Sequence, residues 1–326
     1  MKPTSFIGTQ FRGDAIFDAS RFDENSLFIG SQFNKSALFR YADFNRSCNF
    51  FGATFRGEQD FHNSRFNETA LFRSIVSGDD ANFEDAIFMG SANFRETQFA
   101  NARFSGTKFN GLVDFNLAQF SNSADFTGTK FGKKLYLNDI NFARLLISWD
   151  AIKDGLICNG PTYLLLIKNF KEMEQFEDAD NCYYQYRDEE RQDRPLGWGK
   201  FFDYISWLSC GYGVRWQHPI LSAVAIAILF SVYYESYSLI GKAASLFHKQ
   251  ELKPPYKYDL VQNIKKSLLF STMMLLSLPP EWSRFGREEY IKFVMCHWFS
   301  GILERLIGWG LMLLLIGVLS RLMVRY

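Results

Sequence analysis

Phenylalanine marks the first half of the chain at steps of five and six residues. It stands at positions 6, 11, 17, 22, 28, 33, 39, 44, 50, 55, 61, 66 and 72, then at 83, 88, 94, 99, 104, 109, 115, 120, 126 and 131. The superperiod is about eleven, which neither the 3.6-residue period of a helix nor the two-residue period of a strand divides. Two residues before most of these phenylalanines sits a small side chain, among them Ala15, Ser26, Ala37, Cys48, Ala70, Ala92 and Ala124. A chain that turns a corner every five or six residues points one large and one small side chain inward per side. Successive coils then stack a phenylalanine column beside an alanine or serine column, and the element predicted is a solenoid.

The segments FGATF (51 to 55), ADFNRS (42 to 47), SANFRETQF (91 to 99) and SADFTGTKF (123 to 131) closely resemble the pentapeptide-repeat family. The resemblance covers residues 4 to 147 and implies a β-solenoid, a right-handed quadrilateral β-helix. About twenty-five sides then give six or seven coils and, at ~4.8 Å per coil, a rod roughly 30 Å long. The interruption at Ile75-Val76-Ser77-Gly78 predicts a loop or an irregular corner. From Leu135 the register continues in aliphatic residues, through Leu137, Phe142 and Ile147, as a fading last coil. Members of this family that inhibit DNA gyrase imply a second expectation, an acidic rod that mimics duplex DNA. Such a mimic needs a strong negative excess, whereas residues 1 to 150 carry 17 Asp and Glu against 16 Lys and Arg. These charges read as the solvated outside of a solenoid, and nucleic acid is not an expected partner.

Beyond the repeat, AIKDGLICNGPT (151 to 162) supplies the Gly and Pro that separate two units. Tyr163, Leu166, Phe170, Met173, Phe176, Ala179, Tyr183 and Tyr186 then recur at steps of three and four, which predicts one helix over about 163 to 191. Pro195 and Gly197 end it. The aromatic segment that follows, with Trp198, Phe202, Ile205 and Leu208 along one side, predicts a helix lying at a membrane surface.

PILSAVAIAILFSVYYESYSLI (219 to 240) is long enough to span about 30 Å of hydrocarbon, and its one charge is Glu235. A second span is expected at 304 to 325, with Arg321 near its end. Tyr233, Tyr234 and Tyr237 read as the outer aromatic belt of the first span. Glu304, Arg305 and Arg321 read as interface residues that snorkel, with Glu304 also placed to brace a pore loop. Two crossings put both ends of the chain on one side. The opening MKPTSFIGTQF has no apolar signal-peptide core. The expected location is therefore the plasma (inner) membrane, multi-pass, with the repeat domain and the C-terminus cytoplasmic.

Between the spans, a re-entrant helix is predicted at about 262 to 278. Its apolar run from Leu268 to Leu278 is too short to cross a bilayer and is ended by Pro279 and Pro280. The order span, short apolar helix, proline-interrupted turn, span resembles the two-transmembrane pore domain of the potassium-channel superfamily. SLLFST, with Phe270, Ser271 and Thr272, is similar to the pore-helix pattern there. Where that family carries Thr-Val-Gly-Tyr-Gly-Asp, this chain has Ser277, Leu278, Pro279, Pro280, Glu281 and Trp282. Proline cannot take the positive φ that glycine permits, so a potassium-type filter is not expected. Glu281, repeated around a symmetric oligomer, would form an acidic ring that favours cations. By resemblance Gly317 is a candidate gating hinge, although Gly308, Gly310 and Gly317 also suit close helix packing. Gly211-Tyr212-Gly213 precedes the first span, so it reads as a turn into that span rather than as a filter.

Composition adds mainly exclusions. The net charge is +1 and the five cysteines are scattered without a CxxC pair. With four histidines, no phosphate-cradling glycine loop and no acid paired with a nucleophile, no enzyme activity, cofactor or metal site is expected. The domain plan is a cytosolic repeat domain at 1–150, a helical connector at 151–216 and a transmembrane pore domain at 217–326. The expected function is a prokaryotic homo-oligomeric ion channel, tetrameric, cation-conducting and not potassium-selective. Its partners are the lipid bilayer, copies of itself, permeating ions, and a cytosolic protein or ligand on the repeat domain. The alternative is a non-conducting membrane-tethered scaffold for protein–protein interaction.

Overall fold

The computed structural model describes residues 2–247, 260–276 and 298–323. The chain divides into two compact units, Met1–Tyr186 and Arg187–Tyr326.

The first unit is a β-solenoid of about seven turns. Its strands are mostly two residues long and all pair in parallel with the equivalent strand one coil away. Thr4 pairs with Ser26, Gln10 with Gln32, Ala15 with Ala37 and Arg21 with Asp43, a spacing of 22 residues on each of four sides. One side forms an eight-stranded sheet and another a six-stranded sheet; the two sides between them merge into one sheet of eleven strands. Where the sides first merge, the spacing is also shorter. Phe94, Phe99, Phe104 and Phe109 follow at three consecutive steps of five, and Ala81 pairs with Ala102 at a spacing of only 21. With a corner residue missing, the backbone stays extended through the corner as the six-residue strand Gln98–Arg103.

Phenylalanine fills the interior. Within a column the rings lie nearly parallel, as for Phe28 and Phe50 at 4.6 Å and 1°. Between columns they meet edge to face, as for Phe28 and Phe39 at 5.4 Å and 89°. Both arrangements suit the ring quadrupole, and each contributes about 0.5–1.5 kcal/mol beyond burial. Corners two residues after a phenylalanine take a positive φ even where the residue is not glycine, as at Ala19, Tyr41 and Asn63. Their amides stay in the ladder: Tyr41 N donates to the His62 carbonyl at 2.9 Å.

The expected loop at Ile75 to Gly78 is not there. Val76–Ser77 is a strand, with Val76 paired to Thr54 and Ser77 to Phe55. Bulk and smallness have changed places: Ile75 fills the small column, wholly buried, and Ser77 stands in the phenylalanine column. The backbone period is kept while the side-chain pattern inverts.

The solenoid runs on past residue 147. After the single helical turn α1 (Trp149–Ile152), Leu156–Ile157 adds a last strand beside Leu135–Tyr136. Helix α2 (Gly160–Glu172) then covers this end with Tyr163, Leu166 and Phe170, all buried in the same core. Asn159 caps α2 by accepting from Thr162 N at 3.1 Å. Asn169 satisfies the last coil as a strand would, donating to the Leu145 carbonyl at 2.9 Å and accepting from Leu145 N at 3.0 Å. The single helix expected over 163 to 191 is two. Glu174, at φ +60, closes α2, with Gln175 N returning to the Phe170 carbonyl, and α3 (Phe176–Asp193) starts afresh.

The second unit takes the end of α3 and adds α4 (Trp198–Cys210), α5 (Gln217–Phe247), α6 (Leu260–Leu275) and α7 (Trp298–Met323). Two stretches are long and apolar enough to span a membrane, Gln217–Ser236 in α5 and Phe299–Arg321 in α7. The second begins at Phe299, before the expected 304. Gly211-Tyr212-Gly213 is a tight turn between α4 and α5. Gly211 has φ +52, and a Cβ there would lie 2.6 Å from Arg215 Cβ, so only glycine fits.

Candidate functional site

Residues of the second unit that pack inward on α7 follow helical spacing: Gly301, Glu304, Gly308, Leu311 and Val318 are buried. This stripe meets α6 so closely that a Cβ on Gly308 would lie 2.0 Å from the Leu275 carbonyl oxygen. The carbonyl comes near because residue 308 has no side chain.

One turn away, three helices meet at polar atoms. Tyr234 Oη on α5 donates to Glu304 Oε2 at 2.8 Å. Ser271 Oγ on α6 bonds to the Ala227 carbonyl at 2.9 Å and lies within hydrogen-bond reach of Glu304 Oε1. Tyr234, Ser271 and Glu304 are all 0% exposed. Around them Tyr234 packs edge-on against Phe270 at 5.3 Å, and Met274 and Phe230 close the cluster.

Of the sequence-predicted pore-helix residues, Phe270 and Ser271 thus lie in this junction, while Thr272 is half-buried and bonds the Leu268 carbonyl of its own helix at 2.8 Å. Gly317 lies on an exposed side of α7, with no neighbouring atom within 4 Å of an added Cβ. The helix continues through it. Ser277, Leu278, Pro279, Pro280, Glu281 and Trp282 lie outside the described residues. Tyr234 does not belong to an aromatic belt: it is wholly buried, whereas Tyr233 beside it is 48% exposed. Sequence reading missed Tyr234 because a tyrosine near a span end fits an interfacial role equally well. Its spacing of four from Phe230 was the available signal.

The outer sides of α5 and α7 are apolar and uncovered, with Leu221, Leu229, Val232 and Leu313 all more than half exposed. A groove of 510 Å³ lies among α5, α6 and α7, lined by residues such as Val224, Leu268, Leu276, Leu311 and Met312.

Helix α4 is arranged with its charge inward. Asp203, 7% exposed, accepts from Arg187 and from Arg194, each at 2.9 Å. The Arg191 guanidinium lies 4.7 Å from the Tyr204 ring and 4.5 Å from the Trp207 ring, and Arg187 lies 5.3 Å from the Tyr212 ring. Such cation–π contacts are worth about 0.5–2 kcal/mol each, depending on desolvation. Burial pushes the Tyr212 phenol up to about 12, with Arg191 opposing it. Trp198, Phe201, Phe202, Ile205 and Leu208 face outward. His218 Nδ1, 2.7 Å from the Trp207 carbonyl, and Ser222 Oγ, 2.7 Å from the Leu208 carbonyl, tie α4 to the start of α5.

Among the described residues, no three His, Cys, Asp or Glu side chains gather as a metal site. Compared with known proteins, the chain matches no family model, no curated protein and no solved structure.

Proposed function

We propose that the protein is an oligomeric membrane channel, cation-conducting and not potassium-selective, carrying a cytosolic pentapeptide-repeat solenoid as post or sensor. One observation carries this reading: a helix too short to cross a bilayer is packed between two that are long enough. Helix α6 has 16 residues, about 24 Å at 1.5 Å per residue, against about 30 Å of hydrocarbon. Its Ser271 is bonded to both α5 and α7, and the outer faces of those helices are apolar. This is the arrangement expected of a pore helix between two spans, and it supports the resemblance to two-transmembrane pore domains. A simple tether has no use for a third, buried apolar helix.

In this reading the chain assembles as a homotetramer in the plasma membrane, α4 rests at the lipid surface, and residues 277 to 282 line the narrow part of the pore. Glu281 supplies the carboxylate of an acidic ring. The test is the current carried by purified full-length protein in planar bilayers. Conductance with a preference for cations that Glu281→Lys abolishes or reverses supports the channel. Absence of current from protein shown to be folded and inserted leaves the tethered scaffold as the function. Conductance whose ion preference is unaltered by Glu281→Lys removes the ring.

A further inference from the structure

At the Glu304 junction one serine hydroxyl faces two acceptors, the Ala227 carbonyl and Glu304 Oε1. A serine hydroxyl carries one proton and a backbone carbonyl can only accept. When Ser271 Oγ donates to the Ala227 carbonyl, at 2.9 Å, that proton is used. Its contact with Glu304 Oε1 is then bonding only if the proton between them comes from the carboxyl group. Tyr234 Oη donates to the other carboxyl oxygen at 2.8 Å, and Ser300 hydrogen-bonds Tyr234 in turn.

Among the described residues no ion pair involves Glu304. The nearest charged residues along the three helices are Glu235 on α5, Lys265 and Lys266 on α6 and Arg305 on α7. Lys265 is exposed, and Arg305, one residue on, projects about 100° around the helix from Glu304. A lone carboxylate buried among helices is so costly that the neutral acid takes its place.

We propose that Glu304 is held as a carboxylic acid, donor to Ser271 and acceptor from Tyr234, and that this neutral clasp fixes α6 between α5 and α7. Glu304 is a positioning residue: it sets where α6, the pore helix of the proposed channel, sits between α5 and α7. The clasp rests on the channel reading only for what it positions.

Infrared spectroscopy of the full-length protein in phosphatidylcholine vesicles at neutral pH tests it, by comparing the wild type with Glu304→Gln. The expected result is a carbonyl stretch of a protonated carboxyl group in the wild type that disappears in Glu304→Gln. The amide reproduces the donor and acceptor of the neutral acid, so Glu304→Gln should melt within about 2 °C of the wild type. Glu304→Ala takes the acceptor from the buried Tyr234 hydroxyl and empties the space between the helices, and should melt about 6 °C or more lower. A carboxylate band in place of the protonated one, or a loss in Glu304→Gln as large as in Glu304→Ala, overturns the proposal. The infrared band reports the proton whether or not the protein conducts, so silence in planar bilayers would count against the channel and leave the clasp standing.

Discussion

Phe55 and Ser77 are register partners on neighbouring coils, and between them a stack of rings that begins at Phe11 and Phe33 is interrupted. The interior volume is kept by Ile75, two residues earlier and wholly buried. Packing therefore depends on the summed volume of the two inward positions rather than on which of them is large. Ile75→Ala should lower the stability of the solenoid by about 2–5 kcal/mol, the usual loss for a buried aliphatic side chain. Chemical denaturation followed by circular dichroism would show it, and a loss under about 0.5 kcal/mol would mean that Ile75 does not replace the ring.

Gln59 occupies the small column between Ala37 and Ala81, is 0% exposed, and has neither side-chain oxygen nor nitrogen hydrogen-bonded. An unsatisfied buried amide costs about 1–3 kcal/mol. Gln59→Leu, which keeps most of the volume without the polar atoms, should raise the melting temperature. A lower one would show that the amide has a partner inside the rod, such as a bound water.

Gly308 meets the Leu275 carbonyl with no space for a methyl group. Gly308→Ala must push α7 from α6 and should cost about 1–3 kcal/mol, the range for overpacking. Gly310→Ala, where nothing lies near, is the control and should be neutral. Equal thermal stability of the two variants in detergent would mean that α6 does not approach α7 so closely.

Tyr212 gives the second unit a dependence on alkaline pH. Burial raises its phenol from an ordinary 10.0 to about 12. Across that window the folded state holds more protons than the unfolded one, so stability falls as pH rises. Melting temperatures measured from about pH 9 to about pH 11 should decline less steeply for Tyr212→Phe than for the wild type. Parallel declines would place the phenol in water.

The solenoid was legible because its signal is repeated: each Phe with its small neighbour states the same geometry, and single exceptions do not erase it. What sequence reading lost there was local. It took the exchange of bulk at Ile75 and Ser77 for a broken backbone, and it stopped at Ile147 because Leu156 re-enters the register only after a helical detour. The break at Glu174 was hidden because its cause is one residue's backbone conformation, which composition does not signal. The helical unit was readable as apolar lengths, whereas the partners of Glu304 were not. Tyr234, Ser271 and Glu304 are 70 and 33 residues apart in hydrogen-bonded pairs, and no periodicity links them.

The pairing interval of 21 or 22 residues makes the rod a ruler graduated in whole coils. Excising or duplicating one whole circuit between equivalent corners joins ends that already match in direction and face. Its reach can thus be lengthened or shortened by ~4.8 Å at a time without redesign of any contact surface. The length of the solenoid is settled by how many circuits the gene encodes, and only whole numbers are allowed.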